Sequence, residues 1–164
     1  MEFYYPNFQN DMWRIFGVMF FGDRNHFVDT QGKRFKMETI KAFLTERRIA
    51  VYDTARAVIR HRDNASDKDL EVVEAADIIG VIKKLPKLEN IIVTGQKALD
   101  TIIAQLAKGN IRIAPPAVGS YVSFSADERC LRLYRMPSSS RAYPLALEKK
   151  AGIYGKIFIK NPVY

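Results

Sequence analysis

The chain is poor in cysteine and histidine. Its single cysteine, Cys130, excludes a disulfide framework and a cysteine-ligated zinc or iron–sulfur centre. The two histidines, His26 and His61, stand among charged neighbours and read as surface residues rather than catalysts. No apolar run approaches the ~18 residues that a membrane-spanning helix needs. The opening Met1-Glu2-Phe3-Tyr4-Tyr5-Pro6 has neither the basic nor the apolar region of a signal peptide. These absences lead to the expectation of a soluble protein in the reducing cytoplasm, without a membrane partner. Internal repeats, low-complexity tracts and Pro/Gly-rich linkers are also missing. Acidic residues are scarce near the C-terminus: from Arg129 to Lys160, Glu148 is the only acid among eight basic residues.

What is present fits a single domain spanning 1–164, with 48% apolar residues and room for a real core. The net charge of +8 is uneven, because Asp63 to Asp77 holds six acids against Lys68. A basic C-terminal third beside an acidic middle suggests a surface polarised toward a polyanion.

Hydrophobic spacing outlines the elements. Met12, Ile15, Phe16, Met19 and Phe20 share a helical face, with Asn10 or Asp11 placed as the cap and Gly22-Asp23 as the stop. A second helix is expected over Met37 to Arg47, a short buried strand over Ile49 to Tyr52, and a helix over Asp69 to Leu85. Asn90 to Gly95 is a continuous β-branched strand of the kind parallel sheets use, and Ala98, Leu99, Ile102, Ile103 and Leu106 line the helix after it. Tyr121 to Phe124 and Leu131 to Tyr134 read as the last strands, and Leu147, Ala151, Tyr154 and Phe158 as one face of a final helix. The alternation indicates an α/β fold, a three-layer α/β/α arrangement with a small, mostly parallel central sheet. Ligands in such sheets bind beyond the carboxyl ends of the strands, which would place Asp53, Gly95 and the loop Ser138-Ser139-Ser140 at the site.

That serine loop lies between a strand and a helix, with Arg135 before it and Arg141 after it. Backbone N–H groups, hydroxyls and guanidinium groups gathered at a helix start suit phosphate. A polar turn capping a surface helix would use the same residues.

A second segment sharpens the reading. Tyr4-Tyr5-Pro6-Asn7-Phe8-Gln9-Asn10-Asp11-Met12-Trp13, taken with Met136-Pro137-Ser138-Ser139-Ser140-Arg141, resembles the uracil-DNA glycosylase superfamily, closest to its mismatch-specific uracil/thymine branch. That branch carries a stretch like His-Tyr-Pro-Gly-x-x-Asn-x-Phe-Trp, which aligns without gaps on Tyr4 to Trp13, and a late Met-Pro-Ser-Ser-Ser-Ala-Arg loop before a helix. Weaker matches are Asn64-Ala65-Ser66-Asp67 and Thr94-Gly95-Gln96-Lys97. The resemblance implies a glycosylase that flips a nucleotide out of duplex DNA carrying a mismatched or deaminated base and hydrolyses its N-glycosidic bond, with no metal and no organic cofactor. Tyr5 would stack on the flipped base. Asn10 would meet the base edge or a catalytic water, or serve only as a helix cap. Ser138, Ser139 and Ser140 would pinch phosphates. Arg141, one position earlier than the family arginine, would fill the space left by the base. Arg135, Lys149 and Lys150 flank the loop and are expected with Arg141 on one DNA-facing surface, although Arg135, like Lys97, also reads as a solvated charge.

Two departures from the family pattern bear on catalysis. Relatives open with a strand and a Gly-x-Asn-Pro-Gly-like or Gly-x-Asp-Pro-like loop that positions the water, roughly a dozen or more residues before the tyrosine segment. Here Met1 falls too late to include it, so the expectation is either a true start upstream or a sheet lacking its first strand, whose open edge would invite association. Met136 stands where the strongest uracil glycosylases place a histidine, and methionine cannot donate a hydrogen bond to a departing base. A slow, selective glycosylase, an inactive DNA-binding module, and an unrelated enzyme for a small phosphorylated metabolite all remain open from sequence. If the source is prokaryotic, a DNA partner implies association with the nucleoid.

Overall fold

The computed structural model describes residues 4–60 and 70–158. The chain divides into two compact units, Met1–Tyr52 with Ser139–Tyr164, and Asp53–Ser138.

The first unit is built from helices and an aromatic core. Helix α1 (Met12–Phe21) ends where Gly22 takes a left-handed conformation, with φ 66°. The Gly22 amide donates to Val18 O and the Asp23 amide to Gly17 O, which satisfies two carbonyls of the last turn. A short antiparallel ladder follows, β1 (Val28–Asp29) against β2 (Arg34–Phe35), and then α2 (Met37–Glu46). Helix α5 (Leu147–Phe158) packs on α1. Phe43 of α2 gathers Phe16, Phe20 and Phe27 at ring separations of 6.1, 4.9 and 5.2 Å. Such inclined aromatic pairs each add about 0.5–1.5 kcal/mol beyond the area they bury. Of the faces read from helical spacing, Met12, Ile15 and Phe16 of α1 and Leu147, Ala151 and Tyr154 of α5 are buried, Met19, Phe20 and Phe158 are half-buried, and Trp13 is buried beside them.

The second unit carries the main sheet. Strands β5 (Asn90–Thr94), β7 (Arg129–Met136) and β6 (Ser120–Ala126) lie in the order β5-β7-β6. The first pair is parallel and the second antiparallel, in unbroken register from Ser120↔Arg135 to Ala126↔Arg129. Helices α3 (Ile78–Lys84) and α4 (Gln96–Lys108) cover one face. Ile82, Leu99, Ile102 and Leu106 there meet Val93, Phe124, Leu131 and Leu133 of the sheet. The α/β class inferred from alternation therefore holds, with a sheet that is small and mixed.

Two elements differ from the sequence reading. Leu70–Ala75 is a strand, β4, paired antiparallel with β3 (Ala55–Arg60), and among the described residues of the expected Asp69 to Leu85 helix only Ile78–Lys84 is helical. Asp77 marks the switch: its Oδ1 accepts from the Gly80 amide at 2.8 Å and so starts α3 rather than sitting inside a longer helix. Ile49 to Tyr52 forms no strand. Arg48 turns left-handed, with φ 53°, and the Ile49 amide donates back to Leu44 O at 2.9 Å, so these residues serve to close α2. Asp53 accordingly does not stand at the end of a strand. Residues Asn64 to Asp67, one of the weaker family matches, lie outside the described residues. Among the described residues no helix is long and apolar enough to cross a membrane.

Candidate functional site

In the first unit the N-terminal segment and the serine loop meet. Asn10 and Ser140 form an antiparallel bridge, and the Asp11 amide donates to the Ser139 carbonyl at 2.8 Å. The turn leading there is ordered by side chains: the Gln9 amide donates to Asn7 Oδ1 at 2.9 Å and the Asn10 amide to Asn7 O at 2.8 Å. Asn10 then uses its own Oδ1 to accept from the Met12 amide at 2.9 Å, at the very start of α1. The expected cap is therefore Asn10, since Asp11 makes no side-chain cap bond.

Asp11 has another task. Its buried carboxylate is shared by three cations: Arg141 Nε at 3.0 Å, Lys150 Nζ at 3.5 Å and Arg14 at 4.0 Å. Arg141 also donates to Gln9 Oε1 at 2.9 Å and Phe8 O at 3.4 Å. The guanidinium expected to fill a vacated base position is thus folded onto the N-terminal segment, with its side chain still 41% exposed. Arg14 donates to Phe8 O and Asn10 O at 3.0 and 3.1 Å and lies 4.3 Å from the centre of the Phe8 ring. Burial, and next the neighbouring Arg141 charge, pull the Arg14 guanidinium below its ordinary range, while Asp11 opposes them. One carboxylate facing three cations leaves the cluster positive, which favours an anion nearby.

Tyr5 is half-buried, its φ is 52°, and its ring meets Trp13 edge-on at 6.2 Å. A bulky residue in the left-handed region is uncommon and costs about 1–3 kcal/mol unless the surroundings hold it. The Trp13 indole holds this turn by donating to Tyr4 O at 3.2 Å. Tyr154 is buried nearby, and its burial, followed by the Tyr5 phenol, raises its pKa well above the ordinary 10.0.

The second unit holds the rest of the expected site. Strands β5 and β7 end side by side, with Thr94 paired to Met136. Gly95 follows at φ 90°, its amide donating to Met136 O at 3.1 Å, and a Cβ there would stand 3.5 Å from that of Ser138. Arg135 donates to Gln96 Oε1 and to Pro116 O, so it is engaged within this unit. Gly95 and Ser138 are thus neighbours at the carboxyl ends of two strands, as the sheet rule implied. Met136 is fully buried.

No protein-family model, no curated protein and no solved structure matches this chain.

Several residues differ from expectation in exposure. Ser139 is buried, whereas Ser138 and Ser140 are half-buried and Lys149 is exposed. Lys150, expected with Lys149 on a DNA-facing surface, is 1% exposed and donates to the Ser140 carbonyl at 2.7 Å. The sequence did carry a signal for this: Lys150 falls three residues after Leu147 and four before Tyr154, on the apolar face of α5. Asp11 had no such mark, because only the returning loop and helix reveal what its carboxylate joins. Among the described residues no group of three His, Cys, Asp or Glu side chains could hold a metal ion.

Proposed function

We propose that this chain is a DNA glycosylase-type domain that binds duplex DNA and examines a flipped uracil, mismatched thymine or hypoxanthine. The observation that carries the reading is the meeting of the two end segments, Asn10 beside Ser140 and Asp11 beside Ser139. These are the segments that bear the family resemblance, and nothing in their sequence spacing would bring them together.

The chemistry follows from what each part offers. The positive cluster around Asp11 draws the phosphate backbone, and loop hydroxyls and amides fix its register. Tyr5 supplies an aromatic face for a base taken out of the stack. In the excision reaction a water attacks C1′ while donors stabilise the departing base anion. Asn10 fits the donor role: with Oδ1 committed to Met12, its amide nitrogen is the group to offer a base carbonyl.

That same commitment favours a second reading, a module that recognises the base without cleaving it. A water-activating residue must accept a proton, and Asn10 cannot.

The test uses duplexes of one sequence carrying U·G, T·G or C·G, with binding measured across salt and base release read as alkali-labile strand breaks. Preference for the mismatched duplexes is expected, with a log K against log salt slope of about −3.6 if roughly four phosphates are met. Affinity independent of salt, or an equal affinity for all three duplexes, would overturn the proposal. Mismatch binding without strand breaks would select the module over the enzyme.

A further inference from the structure

We infer that Lys150 is a positioning residue for the serine loop, holding its carbonyl oxygens away from the phosphate the loop would receive. The inference rests on the DNA-binding reading above and assigns Lys150 a part in it that touches no DNA.

A lysine on the buried face of a helix keeps its charge only if strong acceptors replace water. Lys150 has two, the Ser140 carbonyl at 2.7 Å and Asp11 Oδ2 at 3.5 Å. Through them it reaches the loop twice, directly at Ser140 and, by way of Asp11, at Arg141, whose Nε stands 3.0 Å from Asp11 Oδ1. The Asp11 amide adds a third tie, to the Ser139 carbonyl. Three consecutive residues, Ser139, Ser140 and Arg141, are thus fastened to one Asp11–Lys150 pair.

The polarity of these ties matters. A loop that receives phosphate must present N–H and O–H groups, because an outward carbonyl oxygen repels the anion. Here the carbonyls of Ser139 and Ser140 both point to protein donors, and Ser140 O accepts from the Tyr143 amide as well, at 3.2 Å. Without the Lys150 ammonium the Ser140 carbonyl would lose its charged donor, and the peptide would be able to rotate toward the ligand.

The experiment compares Lys150→Met, which keeps the length and removes the charge, with Lys149→Met on the exposed side of the same turn. Amide hydrogen exchange at Asp11, whose N–H is bonded to Ser139, should accelerate about fivefold in Lys150→Met, with α4 amides unchanged, since local opening is what exchange reads. The salt slope of duplex binding should fall by about 1.8, the value of two phosphates, although Lys150 itself meets none; Lys149→Met should lower it by about 0.9. Asp11→Asn combined with Lys150→Met removes one charge of each sign and keeps the shapes, and should show the same loss of slope. Unchanged Asp11 exchange in Lys150→Met would overturn the positioning role whatever the DNA result. Faster exchange in a protein whose wild type shows no salt-dependent binding would uphold the loop tie and sink the DNA reading instead. If neither variant melts cooperatively, Lys150 is a scaffold residue and the inference fails.

Discussion

Asp11→Asn should destabilise the first unit far more than Lys150→Met, although both remove one member of the same ion pair. The difference lies in what each leaves behind. Asp11→Asn leaves Lys150 and Arg14, both buried, with Arg141 beside them and no anion. Breaking a buried pair so that a charge stays uncompensated typically costs about 3–5 kcal/mol. The neutral asparagine oxygen can still accept one bond, so the lower half of that range is expected. Lys150→Met leaves Asp11 with Arg141 at 3.0 Å and takes one of two donors from the Ser140 carbonyl, which the Tyr143 amide still reaches at 3.2 Å. An unsatisfied buried acceptor costs about 1–3 kcal/mol, and the remaining donor places this case near 1 kcal/mol. The assay is urea unfolding followed by tryptophan fluorescence. Trp13 is the only tryptophan and lies buried in α1, so the signal reports this unit alone. With a urea slope of about 2 kcal/mol per molar, Asp11→Asn should lower the midpoint by roughly 1.5–2 M and Lys150→Met by about 0.5 M. Equal shifts, or a larger one for Lys150→Met, would show that the three cations do not depend on the one carboxylate.

Two further outcomes follow from single positions. A Cβ at Gly22 meets nothing within 4 Å, so Gly22→Ala should pay only the left-handed backbone, about 1–2 kcal/mol by the same fluorescence assay, with Gly22→Asn costing less; a neutral Gly22→Ala would mean that α1 does not need this stop. Tyr154 has its pKa raised in the folded state, so stability should be intact below about pH 10, the ordinary tyrosine value, and fall as pH rises above it, because the unfolded chain ionises first. Tyr154→Phe should flatten that alkaline fall in a pH series of urea midpoints, and an unchanged profile would place the titration elsewhere.

The helices were legible because their signals are local. Met12 to Phe20, Leu99 to Leu106 and Leu147 to Tyr154 repeat at helical spacing, and Gly22 stops α1 within one turn of where the pattern ends. Strands β5, β6 and β7 also stood out, each being a short run of alternating or β-branched residues. The β3–β4 hairpin did not. Leu70 to Ala75 carries Val72 and Val73 between glutamates and fits either period, and only pairing with Ala55–Arg60 decides for strand. At the candidate site, the serine loop and the tyrosine segment were visible as motifs. The Asp11 junction was not, because two of its three partners, Arg141 and Lys150, come from the far end of the sequence, and only Arg14 is a local neighbour.

The first unit is discontinuous, made of Met1–Tyr52 and Ser139–Tyr164, with all of Asp53–Ser138 synthesised in between. During translation the second unit has its whole sequence available before Ser139 emerges, and domains generally fold as units in that order. Helix α1 can meet Phe43 of α2 early, but its contacts with α5 must wait until that helix leaves the ribosome. Closing contacts such as Asp11 to Arg141, 130 residues apart, carries a large loop-closure entropy and is slow for that reason. The positive cluster therefore forms only after Arg141 and Lys150 have been synthesised, later than the whole of the second unit. A chain stalled before Arg141 has the whole sequence of its sheet but neither Arg141 nor Lys150 to set beside Asp11.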